Sequence, residues 1–292
     1  MNSGEHFCYS LVTCHSSLFT IQLLEALQFE FMRNALFAGM LVSIACGIIG
    51  SYVVVNRTVF ISGGIAHAAY GGIGLGYLLG IDPMWTTIPF SLGAALLMGF
   101  VRQRTRHNAD TLIGVLWAMG MALGIIFIDL TPGYMADLMS YLFGSILAVP
   151  ASSVLMMLVL DCVIVVLFLL FYKQFLAISF DEEFARVLNV RVEPLYYLQL
   201  ALTALTVVIT MRVVGLIMVI ALLTIPAAIS LQFSQNLLRM MVMSSVLGII
   251  FTFSGLYLSY IFNITSGATI ILVAGLTFFL SLLYKSVVKS RP

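Results

Sequence analysis

Charge is what this sequence has least of. Asp, Glu, Lys and Arg make up 9% of its 292 residues, and 62% are hydrophobic, whereas an ordinary globular domain is roughly a quarter charged. That excludes a water-soluble globular fold and makes the membrane span the unit of counting. A net charge of +1 gives no electrostatic footing for nucleic acid. Cysteine is sparse too: Cys8, Cys14, Cys46 and Cys162 are scattered and form no disulfide framework. His6, Cys8, Cys14 and His15 follow no established zinc spacing. No Walker-type glycine loop is present, so the chain is expected to hydrolyse no nucleotide itself. The apolar segments hold neither a histidine pair at helical spacing nor a Gly-x-Ser-x-Gly nucleophile, which argues against an intramembrane enzyme.

What is abundant is long apolar sequence. Runs at 34–55, 58–81, 84–101, 111–128, 152–172, 194–211 and 213–235 are each long enough to cross a bilayer. The run 240–284 is too long for one helix and divides at Asn263-Ile264-Thr265-Ser266-Gly267, which reads as a turn. The expected fold is therefore an all-α polytopic bundle of about nine transmembrane helices. One membrane domain covers 31–292. Residues 1–30 read as an N-terminal extension. They lack the basic start of a signal peptide and suit an interfacial amphipathic helix, and a start at Met32 would remove them.

Nine spans put the termini on opposite sides. With the C-terminus inside, Arg57, Arg102, Arg104, Arg106, Lys173, Arg186, Arg191, Arg239, Lys285, Lys289 and Arg291 all fall inside, and only Arg33 and Arg212 fall outside. The positive-inside rule then selects N-out, C-in. On this topology 129–149 is an outer connection, read as a re-entrant or surface helix, and 173–193 is an inner one.

Four features stand out, three stretches and one residue. The first is 61–77, ISGGIAHAAYGGIGLGY. In lipid, glycines such as Gly63, Gly64, Gly71 and Gly72 let helix backbones approach closely. A histidine among them, His67, is costly unless it faces a pathway or a partner. Asp161 is a second intramembrane ionisable residue and a candidate for the same pathway. The third feature is the inner connection, where Ser179-Phe180-Asp181-Glu182 fits a capping box. Phe184, Val187 and Leu188 follow at helical spacing, and Asn189 can close the helix in the left-handed conformation. This short helix reads as a docking element for a cytoplasmic protein, because the acidic face of Asp181, Glu182 and Glu183 suits an anionic leaflet poorly. The fourth is 211–228, MRVVGLIMVIALLTIPAA. Here Arg212 interrupts the apolar run near the outer face, Gly215 follows, and Pro226 removes a backbone hydrogen bond and is expected to kink the span, a gating arrangement.

These residues carry a resemblance. ISGGIAHA, DLMSYLFGSILAV (137–149), FDEEFARVLNV (180–190) and MRVVGLIMVIALLTIPAA occur in the order seen in permeases of the ABC-3 family, bacterial importers of zinc, manganese and iron. The similarity runs over about 34–285. It implies a permease subunit in the bacterial inner membrane that works by alternating access and holds no permanent cofactor, the divalent metal ion being the substrate. The implied partners are a second copy of the chain, two ABC ATPase subunits on the cytoplasmic side, an extracytoplasmic metal-binding protein and membrane lipid. It makes His67 the pathway histidine and the segment with Asp181, Glu182, Glu183, Phe184, Ala185, Leu188 and Asn189 the ATPase coupling helix. The sequence departs from the family at Gly63, where many members have aspartate. It departs again at Trp117-Ala118-Met119, near which zinc permeases can carry a second histidine. Two alternatives stand beside this reading: a permease for a metal chelate such as haem or a siderophore, and a secondary transporter or channel without an ATPase.

Overall fold

The structure, a computed structural model, describes residues 29–105, 109–132, 142, 144, 146, 149–234 and 236–289. Residues 1–28 of the proposed extension 1–30 and most of the outer connection 129–149 lie outside the described residues. Ten helices and no strand occur among those described: α1 Glu30–Val55, α2 Val59–Leu79, α3 Pro83–Arg104, α4 Ala109–Asp129, α5 Ala151–Phe180, α6 Glu182–Val187, α7 Val192–Val214, α8 Leu216–Phe233, α9 Leu237–Phe262 and α10 Ser266–Lys289. All but α6 are long and apolar enough to cross a bilayer. The shortest of these nine, α8, has 18 residues and at 1.5 Å per residue spans about 27 Å.

Local chemistry places the ends. Asp82 accepts from Met84 N (2.9 Å) and Pro83 occupies the first turn of α3, the position where a missing N–H costs nothing. Asn236 caps α9 through Leu238 N (3.0 Å). At C-terminal ends, Arg57, Gly80, Asn189 and Asn263 take the left-handed conformation. Each follows a helix whose last carbonyls it helps to satisfy: Thr58 N, for example, donates back to Val53 O at 2.8 Å.

The helices form two groups. In one, α2, α3 and α4 pack on one another; in the other, α1, α8, α9 and α10 do, with α5 against α1. α7 touches both groups. Tyr52, Phe168, Phe175, Leu195 and Leu237 share one apolar cluster, which brings the α1 and α5 C-termini together with the α7 and α9 N-termini. The turns at this end carry Arg57 and Arg191, and the first turn of α9 carries Arg239. At the opposite end Arg212 lies 3.6 Å from Asp82.

Two boundaries differ from the sequence reading. α5 runs on through Lys173 to Phe180, so the inner connection is only 181–191. The break in the apolar run at 211–228 falls at Gly215, not at Arg212. Arg212 sits in the last turn of α7, and Gly215, at φ 83° and ψ 158°, is the one residue between α7 and α8. That conformation is essentially reserved for glycine. α8 continues through Pro226.

Candidate functional site

The α2 seam is closed by its glycines. A Cβ at Gly72 would lie 2.5 Å from Thr87 Cα, and one at Gly76 would lie 2.5 Å from Pro83 Cα. Both are backbone approaches that no side chain can share. Gly71 is closed by the Phe90 ring, and Gly64 by Met98 Sδ at 3.0 Å and Ile113. Thr86 ties the seam by donating to Gly72 O (2.7 Å). Across the other face, a Cβ at Gly120 would lie 2.7 Å from Ala68 Cα, so α4 rests on α2 backbone to backbone. Gly63 differs. A Cβ there would meet only Trp117, at 3.8 Å, which is ordinary contact.

His67 is half-buried on this helix. Its ring stacks on Trp117 with centroids 4.2 Å apart and planes 23° apart, and Nδ1 lies 3.1 Å from Met121 Sδ. The Nδ1–H tautomer makes that contact a hydrogen bond and leaves the Nε2 lone pair free to ligate. Trp117 and Met121 are four residues apart on α4 and hold the imidazole from one side. Sequence reasoning noted Trp117 only as a missing histidine and passed over Met121. Their spacing on one helical face was the available signal.

Asp161 occupies different surroundings. It is 6% exposed on α5, lies near Cys46 of α1, and neither carboxylate oxygen has a hydrogen-bond partner among the described residues. His67 faces α4, whereas Asp161 neighbours α1, so the structure does not bring the two together. Among the described residues no three His, Cys, Asp or Glu side chains gather as a metal site would require.

At the basic end, α6 is capped by Asp181, not by Ser179. Ser179 lies inside α5, while Asp181 Oδ1 accepts from Glu183 N (2.9 Å) and Phe184 N (3.1 Å). An ionised carboxylate at the N-cap holds two otherwise orphan amides, and the long α5 consumes the serine. Asn189, at φ 62°, closes the helix, with Val190 N donating to Ala185 O (3.0 Å). Ala185 is fully buried, yet Phe184 is 57%, Val187 81% and Leu188 56% exposed. α6 therefore seals one side against its own chain and leaves an apolar side uncovered. Glu183 and Asn189 are exposed beside it.

α7 adds a feature that sequence reasoning missed. Gln199, Thr203, Thr206 and Thr210 recur at helical spacing and are all buried. Each threonine hydroxyl donates to a carbonyl one turn back on its own helix, as Thr203 does to Gln199 O (2.9 Å). Gln199 Oε1 instead accepts from Asn56 Nδ2 (3.0 Å) across the helices.

The comparisons with known proteins agree with this architecture. The model of the ABC 3 transport family matches residues 28–285. A membrane protein of Synechocystis sp., slr2045, is 56% identical over 263 residues, covering 90% of this chain and 94% of the relative. The manganese transport system membrane protein MntC of Listeria monocytogenes is 36% identical over 258 residues, covering 88% of this chain and 92% of the relative. Among solved structures, PsaBC from Streptococcus pneumoniae, determined in complex with Fab, superposes with a TM-score of 0.80 at 32% identity, covering 90% of this chain and 95% of that one. A multi-pass membrane chain with nine helices fit to span among its described residues, matched over nearly its whole length, belongs to the ABC 3 transport family.

Proposed function

We propose that this chain is the permease subunit of an ATP-driven importer of divalent metal ions in a bacterial inner membrane, with manganese as the metal. The observation that carries the coupling is α6. A capped helix of 6 residues, sealed through Ala185 and uncovered at Phe184, Val187 and Leu188, is what an ATPase subunit would grip. With the basic end inside, the orientation is N-out, C-in, and Asp181, Glu182, Glu183 and Asn189 belong to the coupling element that transmits ATPase closure. The metal follows from relatives such as the Listeria protein, named for manganese transport.

In this reading two copies of the chain form the pathway, a metal-binding protein delivers the ion to the outer end, and lipid surrounds the rest. His67 meets the ion in transit. An imidazole backed by a thioether and an indole binds manganese loosely, since manganese prefers carboxylate and water oxygens. Loose binding suits passage, because a tight site would not release its ion. The outer gate comprises Arg212 with its Asp82 partner and the Gly215 joint, and Pro226 lets α8 flex. The described residues of a single copy offer His67 no carboxylate. Asp161 lies on another seam, so the pathway role is given to His67.

The test is manganese uptake into proteoliposomes that hold the permease, its ATPase subunits and its binding protein. Phe184→Ala with Leu188→Ala is expected to abolish ATP-driven uptake while the permease still assembles. Uptake that persists without the ATPase would refute the proposal and favour a secondary transporter. Uptake of a chelate but not of the free ion would favour the chelate permease.

A further inference from the structure

A polar cavity at the basic end has no place in this transport scheme. About 610 Å³ in volume, it lies among the α1–α2 turn, the C-terminus of α3, and α6 with the start of α7, and is lined by Asn56, Arg102, Gln103, Arg104, Arg186 and Gln199 among others. Glu193 is the only acidic residue among the described ones that line it, so three arginines face one carboxylate. Arg102 is held in place: its Nη2 donates to Asn56 O (3.2 Å), and Asn56 in turn donates to Gln199 Oε1. Two donors of this chain are left over. Arg102 Nη1 and Gln199 Nε2 are buried and have no partner among the described residues, although Gln199 is only 5% exposed. A buried donor without an acceptor costs free energy, and both unsatisfied groups call for the same kind of ligand, an anion with several acceptor oxygens. Arg104 lies over the Phe100 ring, 5.2 Å from its centroid, at the mouth.

We infer that this cavity binds a phosphate ester, with Arg102 and Gln199 as its inner donors and Arg104 at its rim. Phosphate offers the geometry that a guanidinium fork matches. Basic pockets between spans at a membrane face commonly hold phospholipid headgroups, and a soluble phosphate ester shares that chemistry. Glu193 opposes the anion and keeps the site from being permanently occupied.

The test uses the full-length chain purified in detergent and examined by native mass spectrometry with phosphatidylglycerol, diacylglycerol or glycerol 3-phosphate added. Phosphatidylglycerol is expected to be retained about tenfold better than diacylglycerol, which lacks the phosphate. Arg102→Gln should remove that preference, Arg102→Lys should keep part of it, and Glu193→Gln should strengthen it by a few-fold. Binding of glycerol 3-phosphate without a lipid preference would establish the site and make its ligand soluble. Equal retention of phosphatidylglycerol and diacylglycerol with no glycerol 3-phosphate binding, or equal phosphate binding by wild type and Arg102→Gln, overturns the inference. So does protection of Arg102 from phenylglyoxal by added ATPase subunits but by neither phosphate probe, which would make the cavity a socket for a protein partner. Arg102→Lys keeps the test usable if Arg102→Gln fails to fold.

Discussion

Two seams of this molecule hold His67 and Asp161 inside the membrane, and they treat the two side chains in opposite ways. On the α2–α4 seam, His67 is half-buried, stacked on Trp117 and 3.1 Å from Met121 Sδ, with one ring nitrogen free. On the α1–α5 seam, Asp161 is 6% exposed with both oxygens unpaired. The first group is oriented and accessible. The second is sealed into an apolar core with Met157, Leu160 and Ile164 around its helix. Burial inside the bilayer therefore does not make a residue a ligand. What matters is whether neighbours hold it in one orientation and leave a lone pair open.

The widest way to break the contrast is at the glycines that build the His67 seam. Gly72→Val places a side chain where Thr87 Cα stands. It is expected to abolish the folded protein, since overpacking against backbone cannot be relieved by a rotamer change. Size-exclusion chromatography in detergent should show aggregate only. Next is His67→Ala. Uptake of manganese in the full transporter should fall by about tenfold or more, a loss of roughly 1.4 kcal/mol or more of favourable interaction, with thermal stability unchanged. A parallel loss of stability would reduce His67 to a packing residue.

Asp161 should respond in the opposite sense. Replacing an unpaired buried acid by an apolar residue of similar size removes a desolvation cost, so Asp161→Leu is expected to raise stability by about 1–3 kcal/mol while uptake continues. Denaturation followed by near-UV circular dichroism measures the first and a radiotracer assay the second. Abolished uptake would place Asp161 on the pathway after all. The smallest effect is expected at Gly63. A Cβ has ordinary space there, and 63 lies one helical turn before His67 on the same face. Gly63→Asp should fold and set a carboxylate beside the imidazole, lowering the manganese concentration for half-maximal uptake by a few-fold. Misfolding would show that the space is not available.

Much of the architecture was legible because lipid permits so little else. A charge-free run of about 20 residues has to form a helix, and the expected span 58–81 became Val59–Leu79, as 34–55 became Glu30–Val55. The glycine stretch was readable for the same reason. Other features needed three dimensions. The bond between Asn56 and Gln199 joins residues 143 apart in sequence, and no local pattern announces it. At Ser179 two caps competed within three residues, and sequence could not show that α5 would extend far enough to absorb the serine. At 211–228 the charge of Arg212 drew attention from Gly215, because a guanidinium near a helix end can reach an acidic partner such as Asp82 and stay in the helix. The imidazole's neighbours on α4 were visible as letters and became meaningful only once α4 lay against α2.

Gly215 has one more consequence. With only that residue separating α7 from α8, no loop stands in water between two long apolar helices. Neither can enter the bilayer and wait for the other, because the tip would strand its partner's backbone at the surface. During synthesis the pair must therefore leave the insertion machinery together as a helical hairpin, with Arg212 at its tip.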